Sequence, residues 1–193
     1  MGNNIAVVYG SVRSDRQGIR VARFFMNELH HRGDTGILVD PLEYPLPLLD
    51  KMYKEFEHGT APEVMERLAN IFRSADGFLI VSGEYNHGIP PALKNLLDHF
   101  MNEFFWRPAA IASYSAGRFG GVRAAMQLRS TLAEQGMITI PSLFPVGNVS
   151  ESFDVDGKPS DEHSPATAKI FLDEFTWYVE ALRERRLRGV PYE

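Results

Sequence analysis

Ile5-Ala6-Val7-Val8-Tyr9, followed by Gly10-Ser11-Val12-Arg13-Ser14-Asp15-Arg16-Gln17-Gly18 and a helical pattern reaching Phe25, decides the fold. Five consecutive apolar residues read as a buried strand. Gly10 tolerates positive φ and lets backbone approach a ligand closely. The opening N–H groups of the helix that follows lack intrahelical partners and sit at the positive end of its dipole, so an anion placed there finds donors. Ser11 and Ser14 add hydroxyls, and Arg13 and Arg16 add guanidinium groups that grip phosphate oxygens in pairs. An ordinary polar loop would scatter such residues, whereas here two Ser, two Arg, one Gln and two Gly fall between Gly10 and Gly18. The stretch has neither Gly-x-x-x-x-Gly-Lys-Ser/Thr nor Gly-x-Gly-x-x-Gly, so a monophosphate held without Mg²⁺ is the expected guest.

The bulk composition narrows the class. A chain of 193 residues buries a full core, and one domain spanning 1–193 is expected. A net charge of −5 argues against nucleic acid as a partner, because such binding relies on a basic surface. The absence of cysteine removes disulfides, thiolate catalysis and Cys-ligated metals. No apolar run approaches the roughly 18 residues that span a bilayer, and no signal-peptide pattern opens the chain. The expectation is a soluble cytoplasmic protein with no membrane partner.

Outward from the first turn, Ala22, Phe25, Met26 and Leu29 make a helical stripe ending near Gly33, and Gly36 to Asp40 reads as the second strand. Pro41 to Gly59 is irregular and longer than a usual connection, a candidate functional or interface loop. Thr60-Ala61-Pro62-Glu63 reads as a capping box opening a helix with Val64, Leu68, Ile71 and Phe72 on one face. Gly77 to Val81 is a third strand, followed by a Gly-rich turn and a helix carrying Leu93, Leu96, Leu97 and Phe100. Ala109 to Ala112 is a fourth, and the helix beyond it points Val122, Ala125, Met126 and Leu132 inward. The last strand, within Met137 to Val146, holds Pro141 and Pro145, which suits a sheet edge. Glu151 to Asp161 reads as a mobile acidic loop, and Ser164-Pro165 as the cap of a final helix with Phe171, Phe175, Tyr178, Val179 and Leu182 inward. Arg183 to Arg188 are expected to be solvated at its C-terminal end, complementing the helix dipole.

Strands and helices alternate five times, which implies a doubly wound parallel sheet with its ligand beyond the carboxyl ends of the strands. Three Gly-rich turns, 10–18, 83–88 and 115–121, follow strand ends and are expected to converge on one crevice.

Glu84-Tyr85-Asn86-His87-Gly88-Ile89-Pro90-Pro91-Ala92-Leu93-Lys94-Asn95 closely resembles the signature of the NADPH-dependent FMN reductases, flavodoxin-like proteins related to quinone, azo and chromate reductases. Gly10-Ser11-x-Arg13 and Ser115-x-Gly117-x-x-Gly120-Gly121 stand in the matching places, and the likeness covers essentially the whole chain. It implies a three-layer α/β/α fold with five strands in the order 2-1-3-4-5, FMN as cofactor and NADPH or NADH as co-substrate. By position, Gly10, Ser11, Arg13, Arg16, Gln17 and Gly18 would hold the phosphate end, Gly83, Glu84, Tyr85 and Asn86 the ring, and Ser115 and Gly117 the remaining side. Ser82-Gly83 stands where the family usually has Thr-Pro, so that turn is expected to be looser. Hydride chemistry belongs to the flavin, so no acid–base residue is expected.

Other residues admit plainer readings. His87 adjoins the second turn but has no nucleophile to serve, and a structural role is expected. His30, His31 and His99 lack metal-ligand spacing, and no metal is expected. Asn95 and Asp98 are candidate contacts to a partner subunit. The loop Pro41–Gly59 and the run Phe104-Phe105-Trp106 are candidate surfaces for a homodimer or homotetramer. A flavodoxin-type electron carrier is the competing function, and the small-molecule acceptor is left open.

Overall fold

The computed structural model describes residues 2–192. In chain order it contains β1 (Asn4–Tyr9), α1 (Ile19–His31), β2 (Thr35–Val39), α2 (Glu63–Ser74), β3 (Gly77–Ser82), α3 (Pro91–Asp98), β4 (Pro108–Tyr114), α4 (Val122–Glu134), β5 (Ile138–Val146), the short α5 (Val149–Ser152) and α6 (His163–Arg186). All five strands are parallel, in the order β2-β1-β3-β4-β5. The fold is therefore the flavodoxin-like one that the sequence predicts.

Strand periodicity divides the core in two. Val7, Tyr9, Leu79, Val81, Ala112 and Tyr114 face α1 and α6, against Phe24, Phe25, Phe171 and Phe175. Their neighbours Ala6, Val8, Phe78, Ile80 and Ile111 face α2, α3 and α4, against Leu68, Phe72, Leu97 and Leu128. Every residue of β3 and β4 is buried, because helices cover both faces of the sheet.

At the edge, β5 accommodates its prolines by slipping register. Ala109 pairs with Thr139 but Ile111 with Leu143, so Ile140-Pro141-Ser142 bulges out. Arg129 donates to the freed carbonyls of Ile140, at 2.9 Å, and Pro141.

Several local expectations change. No Thr60 capping box forms: its hydroxyl donates to Glu57, and the carboxylate of Glu66 accepts the Ala61 N–H at 3.2 Å instead. Likewise Asp161, not Ser164, caps α6, accepting the Ser164 N–H at 2.8 Å. Met126 is 49% exposed, since α4 packs through Ala124, Ala125, Leu128 and Leu132. Arg183 and Arg186 are not simply solvated; both reach Asp76, at 3.5 and 3.4 Å. Segment 150–160 is not a free loop but a strap on α1. Arg20 donates to the carbonyls of Ser150 and Phe153, Arg23 to Val155 and Asn27 to Asp156, while Phe153 is buried.

Candidate functional site

The three turns do converge at the carboxyl ends of β1, β3 and β4. They enclose a crevice of about 160 Å³ lined by Ser11, Arg13, Arg16 and Gln17 from the first turn, Gly83, Glu84 and Tyr85 from the second, and Ser115 from the third. Gly10, Gly18, Asn86 and Gly117 lie outside that lining, while Asp15, Tyr114, Ala116, Val149 and Ser150 join it.

The donors of the first turn are arranged differently from expectation. The N–H groups of Ile19, Arg20 and Val21 are consumed by the carbonyls of Arg16, Gln17 and Gly18. Among the described residues, the N–H groups of Ser14 through Gly18 have no protein acceptor, so the open donors belong to the turn itself. Arg16 is not a free cation: Nη1 donates to Oδ1 of Asp40, which is 2% exposed at the end of β2. Arg13 has no carboxylate partner among the described residues, so it carries the uncompensated charge of the turn. Gln17 donates through Nε2 to Asp15, and its Oε1 is buried without a donor.

Two phenols tie the turns together. Tyr85 Oη and Ser11 Oγ are 2.8 Å apart, closing the second turn over the first. Tyr114, 7% exposed, fills the space between Gly18 and Gly83. A Cβ on Gly18 would lie 1.9 Å from Tyr114 Cζ, and one on Gly83 would lie 3.1 Å from the same atom. An aromatic ring thus stands against the Ser82-Gly83 turn where the family usually has a proline. Burial pushes the phenols of Tyr9 and Tyr114 above their ordinary values, so neither serves as a base.

The second turn is a reciprocal pair, Tyr85 N–H to Gly88 O at 3.0 Å and Gly88 N–H to Tyr85 O at 2.9 Å, with Asn86 and His87 at φ 50° and 64°. Positive φ at both central residues is the geometry of a type I′ turn. The His87 carbonyl accepts from Gln127 at 2.9 Å while its side chain is exposed. Glu84 turns away to the start of α4 and accepts from the Arg123 and Ala124 N–H groups at 2.9 and 3.2 Å and from the Arg123 guanidinium at 3.2 Å. Partial burial pulls its pKa upward, but these hydrogen bonds outweigh it and hold the carboxyl below its ordinary value. In the third turn the Ser115 hydroxyl donates to Gly117 O at 2.6 Å and accepts the Gly120 N–H at 2.9 Å, so it shapes its own loop.

The lining holds no nucleophile paired with a base, and no group of metal-ligating side chains occurs among the described residues. These residues can bind and orient a ligand whose reactivity is its own. Sequence patterns pass over Tyr114 and Asp40 because neither sits in a motif. The one signal available for both is that each stands at a strand's carboxyl end.

Comparison with known proteins agrees with this architecture. The chain is 28% identical over 188 residues to a quinone reductase of Pseudomonas putida, covering 93% of this chain and 96% of the relative. It is 35% identical over 136 residues to an NAD(P)H-dependent FMN reductase of a Nectria species, covering 66% of each. Among solved structures, a flavoenzyme NAD(P)H:(acceptor) oxidoreductase of Paracoccus denitrificans superposes with a TM-score of 0.74 at 24% identity, over 94% of this chain and 98% of that one. The family model for NADPH-dependent FMN reductase matches residues 3–151, and the chain belongs to that family.

Proposed function

We propose that the crevice at the carboxyl ends of β1, β3 and β4 is the FMN site of an NAD(P)H-dependent oxidoreductase that passes electrons to a quinone-like or other small acceptor. The observation that carries this is the first turn, where Arg13, without a carboxylate partner, and Asp15, Arg16 and Gln17, whose N–H groups have no protein acceptor among the described residues, line one crevice. These are donors for a phosphate. The buried, donorless Oε1 of Gln17 suits a ribityl hydroxyl, so the residues present fit the cofactor. A space of about 160 Å³ is smaller than the roughly 300–1,000 Å³ pockets that enclose whole ligands. Its first-turn residues would hold the phosphate and ribityl chain, and the Gly83–Asn86 turn would hold the ring.

Bound FMN supplies the hydride acceptance and electron delivery. The chain's own residues do the rest. Glu84, fixed to α4, holds the second turn still; Tyr114 sets the spacing between the first two turns; Tyr85 closes on Ser11. Family membership favours the reductase over a flavodoxin-type carrier. The whole chain would act as one flavin-binding domain, in the cytoplasm.

Assembly as a homodimer or homotetramer belongs to this reading. Asn95 holds the proline-rich loop, donating to Pro47 O at 2.8 Å and accepting the Leu49 N–H at 3.0 Å. The run Phe104-Phe105-Trp106 is also used within the chain, Phe104 in the core and the other two rings against Tyr192. What stays uncovered is an apolar patch beside the first turn, Val12, Leu42, Leu48 and Leu49, next to a groove of about 330 Å³. This is the surface that symmetric pairing would bury.

The test is flavin binding to apo-protein. Wild type binds FMN more tightly than riboflavin, and Arg13→Ala weakens FMN by about 10- to 100-fold, the worth of a charge-assisted hydrogen bond, while leaving riboflavin unchanged. Equal affinity of wild type for both flavins would refute the assignment.

A further inference from the structure

A second cleft, of about 470 Å³, lies at the opposite end of the sheet, between the 3₁₀ turn Tyr53–Glu55, the segment before β4 and the chain after α6. We propose that it binds a small planar aromatic carboxylate bearing a hydrogen-bond donor on its ring, of which a hydroxybenzoate is the simplest. The proposal is independent of the flavin assignment.

Charge supports an anion. The walls carry Lys54, Arg73, Arg107 and Arg186 against Glu57 and Glu103. Arg107 is held wholly by carbonyls: Nε to Ala75 at 2.7 Å, Nη1 to Phe105 at 3.1 Å and Nη2 to Arg73 at 2.8 Å. No carboxylate pairs with it among the described residues. Burial, then repulsion from Arg186, pulls it down to about 10 against the opposing pull of Asp76 and Glu103. Arg186 is anchored in turn, donating to the Trp106 carbonyl at 3.2 Å.

Chemistry at Glu103 asks for a donor. This residue is 4% exposed; its Oε1 accepts from Arg73 Nη2 at 2.9 Å, and its Oε2 is buried with no partner. A buried acceptor left empty is the exception in proteins, and a ring hydroxyl would satisfy it.

Flat walls suit a planar guest. Trp106 and Tyr192 stand 4.6 Å apart, and the indole N–H donates to the Tyr192 carbonyl at 2.8 Å, so the C-terminal segment is fastened as one side of the cleft. Tyr53 lines the other side. Trp106 has φ 64°, a conformation that a bulky residue adopts only under constraint and one that accompanies ligand sites.

Trp106 also supplies the readout. The chain has two tryptophans, and Trp177 is 65% exposed on α6, so Trp177→Phe leaves Trp106 as sole reporter. In that full-length protein, saturated with FMN, we expect benzoate and the meta- and para-hydroxybenzoates to quench fluorescence saturably with Kd below about 1 mM. One hydroxy isomer should bind about tenfold more tightly than benzoate, an advantage that Glu103→Gln abolishes. Tyr192→Ala, an exposed change at the end of the chain, should weaken all three. Absence of saturable quenching, quenching that appears only without FMN, or quenching indifferent to Tyr192→Ala would each overturn the proposal.

Discussion

Gly18→Ala should change the sign of its effect on stability according to what stands at position 114. Gly18 has φ −67° and ψ −11°, which alanine adopts freely. In open space the substitution would stabilise by about 0.4–1 kcal/mol through the unfolded chain. In this protein the new Cβ would fall 1.9 Å from Cζ and 2.2 Å from Cε1 of Tyr114. The ring has little room to retreat, because Gly83 lies against it and Tyr9 Oη is 3.4 Å from its hydroxyl. Overpacking of this kind costs about 1–3 kcal/mol net. At about 2–4 °C per kcal/mol for a chain of this size, Tm should fall by about 2–12 °C. In a Tyr114→Ala background the obstruction is gone, and Gly18→Ala should raise Tm by about 1–4 °C. Melts of the four proteins by far-UV circular dichroism complete the cycle. If Gly18→Ala lowers Tm equally in both backgrounds, Tyr114 is not the wedge between the turns.

Saturation with FMN should raise the melting temperature, since ligand at about 100 times its Kd adds about 2.7 kcal/mol to a state that alone binds it; an unmoved midpoint in excess FMN would contradict the cofactor site. Glu84, whose carboxyl is held below its ordinary value when folded, should contribute stability that is present above the unfolded carboxylate value of about 4.3 and lost as pH falls through the lower folded value. Urea midpoints of wild type and Glu84→Gln should accordingly converge on acidification, and a gap that persists at low pH would show that some other interaction is responsible. Leu48→Asp, on the 85% exposed side chain of the apolar patch, should shift sedimentation toward the 21.8 kDa monomer; unchanged assembly would place the subunit contact elsewhere.

The parallel strands were legible because a strand covered on both faces has to be apolar throughout, as Phe78 to Val81 are. Helix faces were less so. In α4 Ala125 and Leu132 are buried as expected, but Ala124, whose small side chain gives a weak hydrophobic signal, is buried where Met126 was expected. Caps misread for a different reason: Thr60 and Ser164 have the right chemistry, but carboxylates tie down the chain at these helix starts, Glu66 accepting the Ala61 N–H and Asp161 the Ser164 N–H. At the candidate site the glycines and hydroxyls of the three turns announced a convergence, yet Arg13 and Arg16 look alike in sequence. Only the neighbouring strand end distinguishes them, because it delivers Asp40 to one and not the other. Tyr114 showed only its place at the end of β4, since its part is to occupy volume between two backbones, a property of the assembled fold.

The strap from 150 to 160 is held to α1 through its carbonyl oxygens. Every residue type offers a carbonyl, so Arg20, Arg23 and Asn27 enforce a path while remaining almost blind to spelling. Phe153, buried at 1% exposure, Asp154, whose Oδ1 accepts the Asp156 and Lys158 N–H groups, and Gly157, where a Cβ would sit 2.4 Å from the Phe24 nitrogen, are committed to their identities. A segment fastened in this way is free to drift in sequence without leaving its place beside the crevice. The match to the family model stops at residue 151, just inside this backbone-read tether, while the likeness to the Pseudomonas putida quinone reductase covers 93% of the chain. Val149 and Ser150, at the start of the strap, line the crevice, so the rim of the site is placed by a helix that grips backbone rather than side chains.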